Sequence, residues 1–250
     1  FYGQRLLDIP TSSEERGRLF QFIDLSKAQG LVPLVVDYCH TPRNVENAVA
    51  WNKGRGYLAF AADRVELNTI PPLPQELTGV HDGDVLKLAN ANNFLLLATS
   101  ESFGDKNSYR NAVAKTDYDL VAMAPFYKGE LLTAEDVAAL RTKARGGKRL
   151  LLAYVNVGRV DKKGALWQAD WAPGKPEWLL EQAIGSNREH YVQYWAPGWQ
   201  QLFVGTENSL LDRIIGLGFD GVYLGGVDAY EHFEAANAAG GGDGGDDSQQ

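Results

Sequence analysis

The sequence predicts an α/β chain built on parallel strands, either a (β/α) barrel or an open remnant of one. Three observations predict it. Seven short apolar runs recur along the chain, capped amphipathic stretches lie between them, and the runs are continuous rather than alternating. A continuous apolar strand is one covered on both faces, as the strands of parallel sheets are. The doubly wound nucleotide-binding form is disfavoured, because no GxGxxG follows the first strand and no P-loop is present.

The elements follow in order. SEERGRLFQFIDLSKAQG (13–30) has a helical pattern that ends at Gly30, and LVPLVVDYC (31–39) is the first strand. TPRNVENAVAWNKG (41–54) is a helix with Thr41 as cap and Pro42 at its first position, followed by the strand YLAFAAD (57–63). NTIPPLPQELTGVHDGD (68–84) is Pro-rich and reads as a long surface loop. NFLLLAT (93–99) and YDLVAMAP (118–125) are the next strands.

TAEDVAALRTKARGG (133–147) opens on Thr133 with acids in its first turn and closes on bases and two glycines, so caps and macrodipole agree. Its basic end, KARGGKR (143–149), reads as a solvated helix terminus rather than a phosphate site. RLLLAYVNVG (149–158), YVQYWA (191–196) and GVYLGG (221–226) complete the seven strands, and ENSLLDRIIGLG (207–218) is the helix before the last one. AANAAGGGDGGDDSQQ (235–250) offers nothing to bury and is predicted to be a disordered tail, leaving residues 1–234 as a single domain.

Bulk composition narrows the function. A chain of 250 residues, 44% hydrophobic and 22% charged, can bury a large core. Its net charge of -8 and lack of a basic stripe argue against nucleic acid, since phosphate binding needs clustered Lys and Arg. The longest apolar runs are too short to span a bilayer, so no membrane insertion is expected. The chain opens on Phe1 without a signal peptide and reads as a processed or excised piece. One cysteine, Cys39, and four scattered His provide neither an internal disulfide nor a metal motif, so no metal and no cofactor are expected. Cys39 and His40 are adjacent on a strand and point to opposite faces, which argues against a Cys-His nucleophile.

In a parallel barrel, chemistry gathers at the carboxyl ends of the strands. Those ends carry Asp37, Asp63-Arg64, Glu101, Ala124-Pro125, Asn156 to Arg159, Trp195-Ala196 and Gly225-Gly226. Trp167, Trp171, Tyr194, Trp195 and Trp199 crowd one third of the chain. Aromatic faces beside carboxylates and amides suit a sugar, which has an apolar face and a polar rim, although some of these rings also fit a core.

NNFLLLATSESF, TDYDLVAMAPFY, LLTAEDVAALRTKARGGKRLLLAYVNVG, HYVQYWAPGWQ and GFDGVYLGGVDAYE together resemble the endo-α-1,4-polygalactosaminidase-like proteins, glycoside hydrolase family 114 and its relatives. VVDYC and GYLAFAADRVELNTIP are similar to a further block, so the resemblance covers nearly all of residues 31 to 233. It implies a TIM-type barrel, a secreted or envelope setting, and cofactor-free hydrolysis of galactosamine-rich polysaccharide. It also implies strand-forming sequence before Phe1, needed to close eight strands.

The departures bear on chemistry. In the family pattern Ala124, Ala196 and Gly225 stand where aspartates are found, and Arg159 where a glutamate is found. Glycosidases use two carboxylates flanking the scissile bond. The expectation is therefore a carbohydrate-binding domain on a glycoside hydrolase framework, with hydrolysis weak or lost. The alternatives are an active glycosidase using the acids that remain (Asp37, Glu101, Asp161, Asp228, Glu231) and a structural module without ligand. Asp37 and Asp228 are the candidate catalytic residues, and Asn156, Arg159, Tyr194, Trp195 and Tyr223 the candidate substrate-binding residues. Asp220, in the turn before the last strand, reads as a turn residue.

Overall fold

The computed structural model describes residues 1–3 and 7–240, with side chains as far as Ala235. The chain divides into two compact units, Phe1–Tyr154 with Ile214–Tyr223, and Val155–Arg213 with the segment from Leu224 onward.

The first unit begins with helix α1 (Ser13–Ala28), strand β1 (Leu34–Tyr38), helix α2 (Pro42–Gly54) and strand β2 (Leu58–Ala62). Ser12 Oγ accepts from the Glu15 amide and so caps α1, while Glu14 and Glu15 meet the positive end of its dipole. β1 and β2 pair in parallel, from Leu34 opposite Leu58 to Tyr38 opposite Ala62. Thr41 stands at the expected cap of α2, but its side chain makes no capping bond. Asp8 supplies the acceptor instead, taking the amides of His40 at 3.1 Å and Thr41 at 3.3 Å.

The remainder of this unit holds β3 (Phe94–Leu97), α3 (Lys106–Ala114), β4 (Leu120–Met123), a small hairpin of β5 (Phe126–Tyr127) and β6 (Glu130–Leu131), α4 (Ala134–Leu140) and β7 (Leu150–Asn156). Phe94, Leu120 and Leu150 stand in register in the parallel trio β3-β4-β7. Every side chain of β3 and β4 is buried. At about 25 cal/mol per Å² of apolar area, each leucine there stabilises by about 2 kcal/mol. Thr133 and Asp136 form a reciprocal capping box on α4, and Asp136 also pairs with Lys106 and Arg110 of α3, tying the two helices together.

The predicted helix 133–147 stops at Leu140, because its basic end is needed elsewhere. Lys143, expected in solvent, is fully buried and pairs with buried Asp119 at 2.8 Å. Asp119 also accepts from the Asn92 amide at 2.9 Å and meets His81 Nε2 at 3.2 Å. Arg149 is buried as well, and donates to Thr116 and to the carbonyl of Thr142. These bonds pin the Pro-rich loop and the 141–149 turn to the amino-terminal end of the sheet. Gly147 permits the approach: its φ is +74°, and a Cβ there would lie 2.2 Å from the Asp82 carbonyl.

The second unit contains β8 (Arg159–Asp161), β9 (Leu179–Gln182), β10 (Glu189–Val192) and the one-turn helix α5 (Pro197–Gln200). Strand β7, helix α6 (Leu210–Leu217) and strand β11 (Gly221–Gly225) cross the unit boundary, and α7 (Tyr230–Gly240) ends the described chain. β11 lies beside β7 in the order β11-β7-β4-β3. Asp220, read as a turn residue, anchors the start of β11 by accepting from the Leu151 amide at 2.8 Å and pairing with Arg141 at 3.0 Å.

The barrel expectation is overturned. Among the described residues the strands form four separate sheets, β1-β2, β8-β10-β9, β11-β7-β4-β3 and β5-β6, and no closed barrel is present. Of the stretch 191–196, expected as a parallel strand, only Tyr191 and Val192 lie in a strand, β10, which runs antiparallel between β8 and β9. The reason is loop length. Parallel neighbours need a crossover of a dozen or more residues, whereas Gly185, with φ of +79°, turns the chain tightly between β9 and β10. Residues 241–250 of the predicted tail lie outside the described residues, and 235–240 continue α7. Among the described residues no helix is long and apolar enough to cross a membrane.

Candidate functional site

The second unit assembles a polar and aromatic patch from the β8–β10 ladder. Directly opposed residues of an antiparallel pair share a face. Tyr191 opposes Arg159 and Glu189 opposes Asp161, so these four share one face, while Val160 and His190 share the other. Val160 and His190 are buried, and on the first face Tyr191 is buried too. His190 Nδ1 donates to the Leu180 carbonyl, and its ring meets Trp167 at 5.5 Å between centroids.

Arg159 donates to Asp228 at 2.8 Å, and its guanidinium lies 5.4 Å from the centre of the Tyr191 ring. Burial would lower the Arg159 pKa, but the hydrogen bond and charge of Asp228 outweigh it and hold the guanidinium more firmly protonated. Asn156 shapes the turn that presents Arg159, its Oδ1 accepting from the amides of Gly158 at 3.2 Å and Arg159 at 3.0 Å. On the other side stands Gly226, with φ of +70° and room for no Cβ, since one would lie 2.0 Å from Asn156 Oδ1. The Gly225 carbonyl accepts from the Val157 amide at 2.9 Å. The glycine pair thus lets the turn after β11 interlock with the turn after β7, bringing Asp228 to Arg159.

Aromatic rings extend the patch. His232 of α7 stacks on Tyr191 at 3.8 Å and reaches Glu181 at 3.1 Å. Phe233 meets Trp195 edge-on at 4.7 Å and Tyr194 at 5.7 Å. Tyr194 and Trp195, in the turn leading to α5, are 37% and 49% exposed. The other expected sugar-facing rings behave differently. Trp167, Trp171 and Trp199 are linked in one run of ring contacts through Trp178, which the sequence did not single out, and Trp199 is buried with its Nε1 donating to the Val157 carbonyl. The pattern cannot separate the two groups in sequence, because both are tryptophan-rich.

Glu189 is the carboxylate that sequence reasoning missed. Burial raises its pKa; Asp161 and Asp228 add to the rise, and Arg159 and Arg188 oppose it. Its one readable signal is its position two residues before Tyr191, meaningful only once 189–192 is known to pair with β8. Asp161 is held by Arg188 and by the Lys163 amide.

The other expected residues belong to the first unit. Asp37 is 1% exposed, and its carboxylate accepts from the nitrogens of Phe1 and Tyr2 and from Asn52 Nδ2, fastening the amino-terminal segment and α2 to β1. Tyr223 stacks on Tyr154 at 5.9 Å between centroids. Asp37 and Tyr223 therefore belong to one unit, and Asn156, Arg159, Tyr194, Trp195 and Asp228 to the other. Among the described residues no group of three or more His, Cys, Asp or Glu could hold a metal ion. The second-unit patch can stack an apolar face on Trp195 and hydrogen-bond a polar rim through Asp228, Arg159 and Glu181.

No family model matches the chain. An uncharacterized protein of Deinococcus radiodurans is 36% identical over 124 residues, which is 50% of this chain and 38% of that protein. An uncharacterized protein of Thermotoga maritima is 34% identical over 82 residues, 33% of this chain and 24% of its own length. The uncharacterized protein MJ1477 of Methanocaldococcus jannaschii is 31% identical over 91 residues, 36% of this chain and 25% of its own length. The matched stretch spans less than two fifths of each of these relatives.

Proposed function

We propose that the chain is a carbohydrate-binding domain related to the endo-α-1,4-polygalactosaminidases, with hydrolysis weak or lost. The observation that carries this reading is the second-unit patch, in which half-exposed Trp195 meets Phe233 and Arg159 pairs with exposed Asp228, the two parts joined beneath the surface by buried Tyr191. A pyranose stacks its apolar face on such a ring and turns its hydroxyls toward the charged groups. The loss of chemistry follows from Ala124, Ala196 and Gly225, which transfer no protons, and from Arg159, whose charge opposes an oxocarbenium-like centre. The secreted or envelope setting implied by the family resemblance belongs to the same proposal.

The test is titration of galactosamine oligomers against tryptophan fluorescence, with a count of reducing ends on the polymer. Saturable binding without cleavage supports the proposal. No fluorescence change at millimolar oligomer sinks it.

One observation favours a second reading, residual hydrolysis. Glu189 stands opposite Asp161 on the β8–β10 ladder, and burial shifts its pKa upward, the direction in which a general acid is tuned. Cleavage by the parent chain that disappears in Glu189→Gln would replace the first reading with this one.

A further inference from the structure

We propose that a pocket at the carboxyl ends of β1 and β2 binds a free α-amino acid with an apolar side chain. The pocket encloses about 330 Å³ and lies wholly within the first unit. It shares no residue with the carbohydrate patch, so the two proposals stand or fall separately.

β1 and β2 are parallel and leave their ladder at Tyr38 and Ala62. The next residues, Cys39-His40 and Asp63-Arg64, line the pocket. Open α/β sheets bind ligands just beyond the carboxyl ends of their strands. The lining also includes Pro71, Pro72 and Leu73, an apolar wall in which neither proline has an amide N–H to donate.

The charges identify the ligand. Arg64 Nε and Asp63 Oδ2 are 3.9 Å apart, an ion contact too long for a hydrogen bond. Asp63 Oδ1 accepts from Thr69 Oγ1 at 2.7 Å, which fixes the carboxylate and leaves Oδ2 with the long ion contact to Arg64. The Arg64 side chain is 56% exposed and keeps its planar fork of donors for a carboxylate. An anion alone would meet Asp63 as well as Arg64, and a cation alone would meet the reverse. A head carrying both signs satisfies both residues, ammonium on Asp63 and carboxylate on Arg64.

The Pro71-Pro72-Leu73 wall then takes an apolar side chain. Cys39 contributes a buried thiol, a soft neutral contact. The volume is at the lower end for small-molecule sites and suits one amino acid, not a peptide.

The test is calorimetric titration of the full chain with leucine and with phenylalanine. Comparators are the matching amine without the carboxylate and the matching acid without the ammonium. Saturable binding of either amino acid is expected, with each comparator weaker by about tenfold or more. Arg64→Gln and Asp63→Asn should each weaken binding by about tenfold or more. Both variants should fold, since Arg64 is exposed and Asn keeps the oxygen that Thr69 uses. Absence of heat at millimolar leucine and phenylalanine overturns the proposal. So does equal binding of the deaminated acid, or unchanged affinity in both variants.

Discussion

Arg159 and Asp228, 69 residues apart in the chain, meet at 2.8 Å in the second unit. The pair occupies the middle of the polar patch and spans its two turns. Asp228 is 58% exposed, so water screens the pair and its contribution to stability is small. Asp228→Asn should therefore lower stability by less than about 1 kcal/mol in urea melts. Glycan affinity should fall by about tenfold, the effect of losing a charged hydrogen bond. A large stability loss with unchanged affinity would make the pair structural only.

Two tryptophans four residues apart should behave oppositely. Trp195→Ala removes a half-exposed ring and should reduce glycan affinity with little change in melting temperature. Trp199→Ala empties a buried site and orphans the Val157 carbonyl, and should cost about 3–5 kcal/mol. Chemical denaturation of both variants, beside the fluorescence titration, checks the contrast. Equal destabilisation would show that Trp195 is a core residue.

The Lys143–Asp119 pair should be costly to break from either side. Lys143→Met leaves Asp119 a buried charge with the His81 ring and the Asn92 amide as its remaining partners, and should cost about 3–5 kcal/mol. Adding Asp119→Asn should recover part of that loss, because the uncompensated charge is then gone. A single-variant loss below about 1 kcal/mol would mean that water reaches the pair.

Glu189 gives a signed pH dependence. Its folded pKa is raised by burial, so the folded state binds the proton more tightly than the unfolded chain. Its favourable contribution is fully present below the ordinary glutamate value of about 4.3 and is lost as pH rises through the folded value. Glu189→Gln should match the parent below about pH 4 and melt higher than it near neutrality. A variant that melts lower at neutral pH would show that the ionised carboxylate is the stabilising form.

Local physics made several elements legible. The runs that became β3 and β4 are buried on both faces, so their apolar content leaves no doubt about a covered strand. Thr133 and Asp136 sit at capping-box spacing, and the start of α4 follows from them. Arg159 reads in the sequence as more apt to pair with a neighbouring acid than to hold an anion, and it does pair, with Asp228. LLEQ (179–182) was passed over as a strand, being short and half polar, and without β9 the antiparallel setting of β10 could not be inferred.

The sequence by itself determined the cores of β3 and β4 and the start of α4, through apolar runs and a capping box, since those signals act between residues a few positions apart. Only the tertiary structure decided which strands pair and which charges are buried. Lys143 and Arg145 look alike in KARGGKR, yet the first is buried on Asp119 and the second is exposed beside Asp117. Asp37 and Asp228 look alike at strand ends, yet one fastens a segment beneath water's reach and the other faces it. Each outcome depends on partners 15 to 69 residues away, whose approach is governed by packing and loop closure rather than by any local pattern.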